Sequence, residues 1–304
     1  MNKIDFDITD EIQEALKNNK PVVALESTLI SHGLPYPKNL EVAKASIEAV
    51  RLGGSVPATI AIINGRVKIG LNEKYLYILA KNENVKKVST HNLAISLRNK
   101  SDAATTVAST IYLASLIGIK FFATGGFGGV HLEAHNTFDI SSDLNELSKT
   151  SMYIICSGAK SILDLNKTYE KLETLGVPRI GLNTDYMPGF WYYHTDKKVD
   201  HNYKSIDDLI NYLIVRENIK QNGSVLIFNP VPKDKAIEKN LINNWIKSSI
   251  KKAKEKSING KELTPFLISE INSLSKNVTL KANMELIINN SLIAGKLASK
   301  YFAN

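Results

Sequence analysis

A single cysteine, Cys156, occurs in 304 residues. One thiol excludes an intramolecular disulfide framework and any zinc site built on paired cysteines, and it agrees with a reducing compartment. Proline is scarce at 9 residues and no low-complexity tract is present, which excludes a collagen-like or disordered chain. Long apolar runs are missing too. Val22–Leu25 and Thr110–Ile119 fall far short of the roughly 20 residues a membrane span needs, so no membrane association is expected. The opening residues, Met1 to Asp7, show neither a signal-peptide nor a transit-peptide profile, and a cytoplasmic location is expected. Arginine contributes only 5 of the 38 basic residues, against 33 lysines, and asparagine reaches 29. Nucleic-acid surfaces favour arginine for bidentate contacts, so the +8 net charge reads as compositional bias and no nucleic-acid partner is expected. A modest positive field still helps to capture an anionic small molecule.

What the chain does contain is alternation. Short apolar segments predict strands at Val22–Leu25, Ala58–Ile63, Val67–Leu71, Lys120–Thr124, Met152–Cys156, Arg179–Leu182 and Val225–Phe228. Between them, 3.6-residue periodicity predicts helices at Glu11–Asn18, Leu40–Leu52, Thr106–Ile117, Ile162–Leu175, Ile206–Glu217, Asp234–Lys254, Pro265–Leu274 and Lys281–Tyr301. The pattern implies a three-layer α/β/α sandwich around a mostly parallel mixed sheet. Asn64-Gly65 between two alternating runs adds a type I′ β-hairpin. Gly53, Gly118 and Gly176 are placed to end helices in left-handed conformation. Ser161 and Ser205 begin capping patterns, and Thr264-Pro265 reads as an N-cap followed by proline at the first helical position. Without repeats or linkers, one domain over residues 1–304 is expected, its nearly all-helical last 70 residues forming a flanking layer or an oligomer contact.

Several stretches are candidates for chemistry. Thr124-Gly125-Gly126-Phe127-Gly128-Gly129-Val130-His131 follows a predicted strand, and its glycines allow backbone amides close to an anion, though a tight loop would use the same residues. It matches neither a Walker loop nor a dinucleotide fingerprint. His131-Leu132-Glu133-Ala134-His135 fails both zincin patterns, which leaves His131 as a substrate contact or an exposed side chain. Asp139-Ile140-Ser141-Ser142-Asp143 reads as a helix N-cap and as an oxygen-rich site for largely hydrated Mg²⁺ or Mn²⁺, two readings that can coexist. Lys160 and Glu26 each follow the carboxyl end of a predicted strand, where open α/β sheets place ligands. The first suits a nucleophilic amine and the second a partly buried general acid.

Taken together, these residues resemble the pseudouridine-5′-phosphate glycosidase family, also described as indigoidine synthase A-like. The likeness is carried by Val22–Thr28, Ser31–Pro37, Val56–Ala61, Lys87-Val88-Ser89, Thr105–Thr110 and Ala123–His131, and it continues in Thr137–Leu144, Ser157–Asp164, Asn229–Pro232, Gly260-Lys261, Thr264–Leu267 and Asn283. After Lys87-Val88-Ser89 the family shows two arginines and an aspartate, whereas this chain has Thr90-His91-Asn92. The resemblance implies reversible cleavage of the C1′–C5 bond of pseudouridine 5′-phosphate to uracil and ribose 5-phosphate through a lysine imine. It implies Glu26 as proton donor, Lys160 as nucleophile and Asp139 as ligand of one Mn²⁺ per subunit, with Mg²⁺ or another divalent cation as a substitute. Lys87, Val107, Ser141, Ser142 and Asp143 would line the substrate site, with His131 and Asn283 as further contacts and a homotrimer as the assembly. A class I aldolase-like sugar-phosphate lyase and a non-catalytic nucleotide-binding module are the alternatives.

Overall fold

A computed structural model describes residues 6–258 and 263–304. The N-terminal profile over residues 1–5 and the Gly260-Lys261 pair lie outside the described residues. Eleven strands form one mixed sheet: β1 (Phe6–Ile8), β2 (Val22–Leu25), β3 (Val56–Ile63), β4 (Arg66–Ile69), β5 (Lys86–Val88), β6 (Ala103–Thr105), β7 (Phe121–Ala123), β8 (Tyr153–Cys156), β9 (Arg179–Leu182), β10 (His201–Tyr203) and β11 (Val225–Phe228). The order is β1-β4-β3-β2-β7-β8-β11-β9-β10, with β6 joining β3 to β5. Only β3–β4 and β3–β6 are antiparallel. The hairpin lies where Asn64-Gly65 predicts it, with φ of 49° and 70° at the two turn residues.

The helices are α1 (Asp10–Lys17), α2 (Lys38–Leu52), α3 (Glu73–Lys81), α4 (Leu93–Arg98), α5 (Val107–Ser115), α6 (Ala134–Thr137), α7 (Ser142–Lys149), α8 (Leu165–Thr174), α9 (Ile206–Asn218), α10 (Lys239–Glu255), α11 (Leu263–Leu274) and α12 (Val278–Ala303). Strand residues sort by alternation into two cores. Ala24, Phe122, Ile154 and Leu226 pack on one face with Ile12, Ile111, Leu144 and Leu172 of α1, α5, α7 and α8. Val23, Phe121, Ile155 and Ile227 pack on the other with Val50, Leu213 and Leu297 of α2, α9 and α12. Because both sides of each central strand are buried, the strands read as unbroken apolar runs, and the expected three-layer sandwich follows. α2 and α12 touch through their backbones: a Cβ built on Gly295 would lie 2.5 Å from the Val50 carbonyl oxygen.

Three punctuation marks act differently from expectation. Gly53 ends α2 in right-handed geometry (φ −75°), and its neighbour Gly54 takes the left-handed turn at φ 88°. Ser161 does not cap α8. Its hydroxyl donates to the Gly189 carbonyl at 2.6 Å, and Asp164 caps instead by accepting the Lys167 amide at 3.0 Å. Thr264 lies inside α11 rather than before it, while Pro265 keeps to the first turn, where no backbone bond is lost. Ser205 caps α9 as predicted, and Gly118 and Gly176 are left-handed.

Candidate active site

Glu26, Thr124 and Ser157 stand immediately beyond the carboxyl ends of the adjacent parallel strands β2, β7 and β8. The loops after β7 and β8 continue the pairing of their strands. Phe127 N–H donates to the Gly158 carbonyl at 3.3 Å and Lys160 N–H to the Phe127 carbonyl at 3.2 Å, so the glycine loop fixes the backbone that carries Lys160. A Cβ on Gly126 would lie 2.5 Å from the Gly158 carbonyl oxygen, which is why a side chain cannot stand there. Beneath the loops Asn290 of α12 donates to the Thr124 carbonyl at 2.8 Å and accepts from Asn229 at 2.9 Å. The Thr124 hydroxyl donates to Glu26 Oε1 at 2.5 Å.

A cavity of about 70 Å³ opens among these ends, bordered by Glu26, Lys87, Lys160, Asn283, Phe190 and Trp191. The accessible surface that Glu26 retains borders this cavity while protein surrounds the carboxyl, and this desolvation holds its pKa above the usual carboxylate range. Lys160, the Thr124 hydroxyl and Lys87 pull it back down, and Asp143 adds to the rise. Lys87 keeps accessible surface but stands in a recess. Desolvation first, then the Lys160 charge, lowers its pKa against the pull of Asp143, Glu26 and Asp139.

Asp139, Asp143 and His131 lie within the field of Lys87, and like Val107, Ser141 and Ser142 they are not among the residues that border the cavity. Asp139 is 38% exposed, and its carboxylate lies 3.9 Å from His131 Nε2. Desolvation depresses the His131 pKa, opposed by Asp139 and reinforced by Lys160 and Lys87. Among the described residues no three His, Cys, Asp or Glu side chains converge as a metal cage. The donor set therefore fits only a cation that keeps most of its water and takes one carboxylate, as Mg²⁺ and Mn²⁺ do.

Asp143 holds two parts of the fold together with its two oxygens. It is buried, with Oδ1 accepting from Ala108 N–H at 2.9 Å and Oδ2 from Gly128 N–H at 2.8 Å, and so ties the start of α5, where Val107 is buried, to the glycine loop. Of the amides from Gly125 to Gly129, those of Phe127 and Gly128 are bonded within the protein, to the Gly158 carbonyl and to Asp143. Ser141 is the N-cap of α7, accepting from the Asp143 amide at 3.2 Å, and Ser142 meets Ser89 at 2.7 Å between hydroxyls. At Thr90-His91-Asn92 the carboxamide of Asn92 accepts from Ser89 N–H at 2.8 Å, the reciprocal bond of a capping box.

Sequence reasoning missed Thr28, His32 and Thr124 as site residues, although each lies in a stretch it singled out. For Thr124 the signal was its place beyond a strand parallel to that of Glu26. Phe190 and Trp191 belong to the aromatic run Phe190-Trp191-Tyr192-Tyr193, for which the sequence left open a cap over the site or a packing contact between subunits, and both border the cavity. Trp191 is 1% exposed and its Nε1–H donates to Asn283 Oδ1 at 2.5 Å.

Residues 11–300 match the model of the family described as indigoidine synthase A like protein. The chain belongs to the indigoidine synthase A like family. Its relatives include the pseudouridine-5′-phosphate glycosidases of Brachyspira hyodysenteriae, 46% identical with 99% of this chain and 98% of the relative covered, and of Escherichia coli strain K12, 44% identical with 97% and 95% covered. Solved structures of the same fold include the prealnumycin C-glycosynthase AlnA in complex with ribulose 5-phosphate, with TM-score 0.91 and 32% identity over 99% of this chain and 98% of that one. The indigoidine synthase A-like protein of Thermotoga maritima has TM-score 0.90 and 31% identity over the same shares. Within the family fold, the cavity at the strand ends is the candidate active site.

Proposed function

We propose that this chain reversibly cleaves the C1′–C5 bond of pseudouridine 5′-phosphate to uracil and ribose 5-phosphate. The observation that carries the reading is the sharing of one cavity by the Lys160 amine, the Glu26 carboxyl and the Lys87 cation, in a chain 44–46% identical to proteins named for that reaction. Carbon is too weakly basic a leaving atom for the direct protonation that ordinary glycosidases use. A protonated Glu26, favoured by its enclosure, gives its proton to the ring oxygen as the ribose opens. The neutral Lys160 amine bonds to C1′ as the C1′–O4′ bond breaks, gives one N–H proton to the Glu26 carboxylate just formed, and with the lone pair so regained forms the C=N bond as the C1′–C5 bond breaks. Those electrons leave with uracil, whose C5 takes the proton back from Glu26. Water adds to the imine carbon, and collapse returns the amine and the aldehyde of ribose 5-phosphate.

Lys87 supplies a cation for the phosphate or the sugar hydroxyls. Asp139 would hold the hydrated Mn²⁺ or Mg²⁺, which when bound supplies further positive charge beside the phosphate. His131 and the Ser141–Ser142 hydroxyls would serve the same ligand in this reading, and Asp143 positions the glycine loop. A homotrimer belongs to the same reading, and Phe138, 83% exposed beside Asp139, is an apolar side chain that a neighbouring copy would cover.

The change in ultraviolet absorbance on release of uracil gives the direct test. The wild-type protein with Mn²⁺ should release uracil from pseudouridine 5′-phosphate, and Lys160→Ala should not. Release of uracil also excludes a pure nucleotide-binding module, and absence of turnover on this substrate with turnover on another sugar phosphate would favour the lyase alternative.

A further inference from the structure

The turn after β2, Leu29–Gly33, is a single turn of π-helix, a form rare in proteins and concentrated at functional sites. It is pinned from outside at every other polar position. The Ser27 hydroxyl donates to the Ile60 carbonyl at 2.6 Å, the Ser31 hydroxyl to the Leu79 carbonyl at 2.8 Å, and Asn39 donates to the Ile30 carbonyl at 2.7 Å. Two polar atoms of the same stretch stay unbonded among the described residues although they are shut away from solvent: Thr28 Oγ1 and His32 Nε2. Both residues border the cavity with Glu26 and Lys160. Buried polar atoms left bare beside a cavity are groups that an occupant of that cavity would complete.

Asn283 extends the set. Indole N–H is only a donor, so the bond from Trp191 fixes the Asn283 carboxamide with oxygen toward the indole and leaves its NH₂ as a donor. Burial and the Lys87 charge depress the His32 pKa, which favours a neutral ring. In the tautomer protonated at Nδ1, the unpartnered Nε2 is an acceptor. The cavity thus presents a donor, an acceptor and a hydroxyl that can act as either, next to the apolar surfaces of Phe190, Ile268 and Ile287. An acceptor nitrogen repels an anionic oxygen, so this set does not suit phosphate. It suits a flat ring whose edge alternates carbonyl, N–H and carbonyl.

We propose that Thr28 and His32 bind the imide edge of the pyrimidine base, placing the carbon leaving group over the Lys160–C1′ bond and selecting uracil. The assignment rests on the cleavage reading above and adds the specificity residues for the base. Binding the departing base also steadies it as it accepts electrons from the breaking C–C bond.

The test measures both substrates of the reverse reaction, uracil and ribose 5-phosphate, in Thr28→Val, His32→Leu and His32→Gln. Thr28→Val keeps the shape and removes the hydroxyl, and it should raise the KM for uracil about tenfold, the loss expected for one neutral hydrogen bond, while the KM for ribose 5-phosphate stays within twofold. His32→Leu should do the same, and His32→Gln, whose amide oxygen falls near the position of Nε2, should recover part of the loss. Borohydride trapping of ribose 5-phosphate on Lys160 reports whether each variant is folded, and if His32→Leu fails it, Thr28→Val decides alone. An unchanged KM for uracil, or a parallel rise for ribose 5-phosphate, overturns the assignment. A wild-type protein inactive in both directions instead overturns the cleavage reading, and this assignment with it.

Discussion

Glu26 is where stability and chemistry conflict. Its pKa is raised chiefly by desolvation, so the folded state holds the proton more tightly than the unfolded chain does. The sign of the linkage follows: stability is fullest below the ordinary glutamate value of 4.5 and declines as pH rises through the raised folded-state value. Glu26→Gln keeps an acceptor for the Thr124 hydroxyl and removes the buried charge. Calorimetric melting should therefore show this variant equal to the wild type near pH 4 and more stable at pH 8, with turnover lost; a wild type that is the more stable at pH 8 would contradict the desolvation account. Asp143 behaves in the opposite way, since Asp143→Ala would strand the Ala108 and Gly128 amides. Urea unfolding should register about 1–3 kcal/mol for each buried donor left unpaired. Lys87→Ala removes one charge-assisted contact and should lower kcat/KM for pseudouridine 5′-phosphate roughly 10–100-fold.

The central elements were legible because burial on both faces writes itself as apolar runs: β2, β9 and β11 begin and end where the sequence places them. Strands β1, β5, β6 and β10 have three residues each, too few for a period, and β5 opens with two lysines. Its pairing comes from bonds such as Lys86 N–H to the Asp102 carbonyl at 2.9 Å, which only the tertiary fold supplies. The same division holds in the site. Glu26 and Lys160 were readable from their strand ends, and the spent amides of the glycine loop were not, because their acceptors come from Gly158 and Asp143, distant in sequence. The crossing of α2 and α12 yields an element-scale expectation: Gly295→Ala meets the Val50 backbone and should destabilise by about 1–3 kcal/mol in denaturant unfolding. The cavity of about 70 Å³ is well below the several hundred Å³ of typical ligand pockets, and α11 forms part of its wall through Thr264, Pro265 and Ile268. Amide exchange in α11 should therefore slow when ribose 5-phosphate binds.

For the whole molecule, no helix among the described residues is long and apolar enough to cross a membrane. Light scattering should return three times the 33.6 kDa chain mass if the trimer reading holds, and Phe138→Ser should weaken that assembly. The proposed reaction makes one requirement, which is that the Lys160 amine reaches the sugar carbon. Borohydride added to the wild-type protein with ribose 5-phosphate tests this most directly, because reduction makes an imine permanent. The account predicts one reduced pentose phosphate per chain, mapped by peptide mass spectrometry to Lys160 and absent from Lys160→Ala. Labelling at Lys87, or full uracil release by Lys160→Ala, would contradict it.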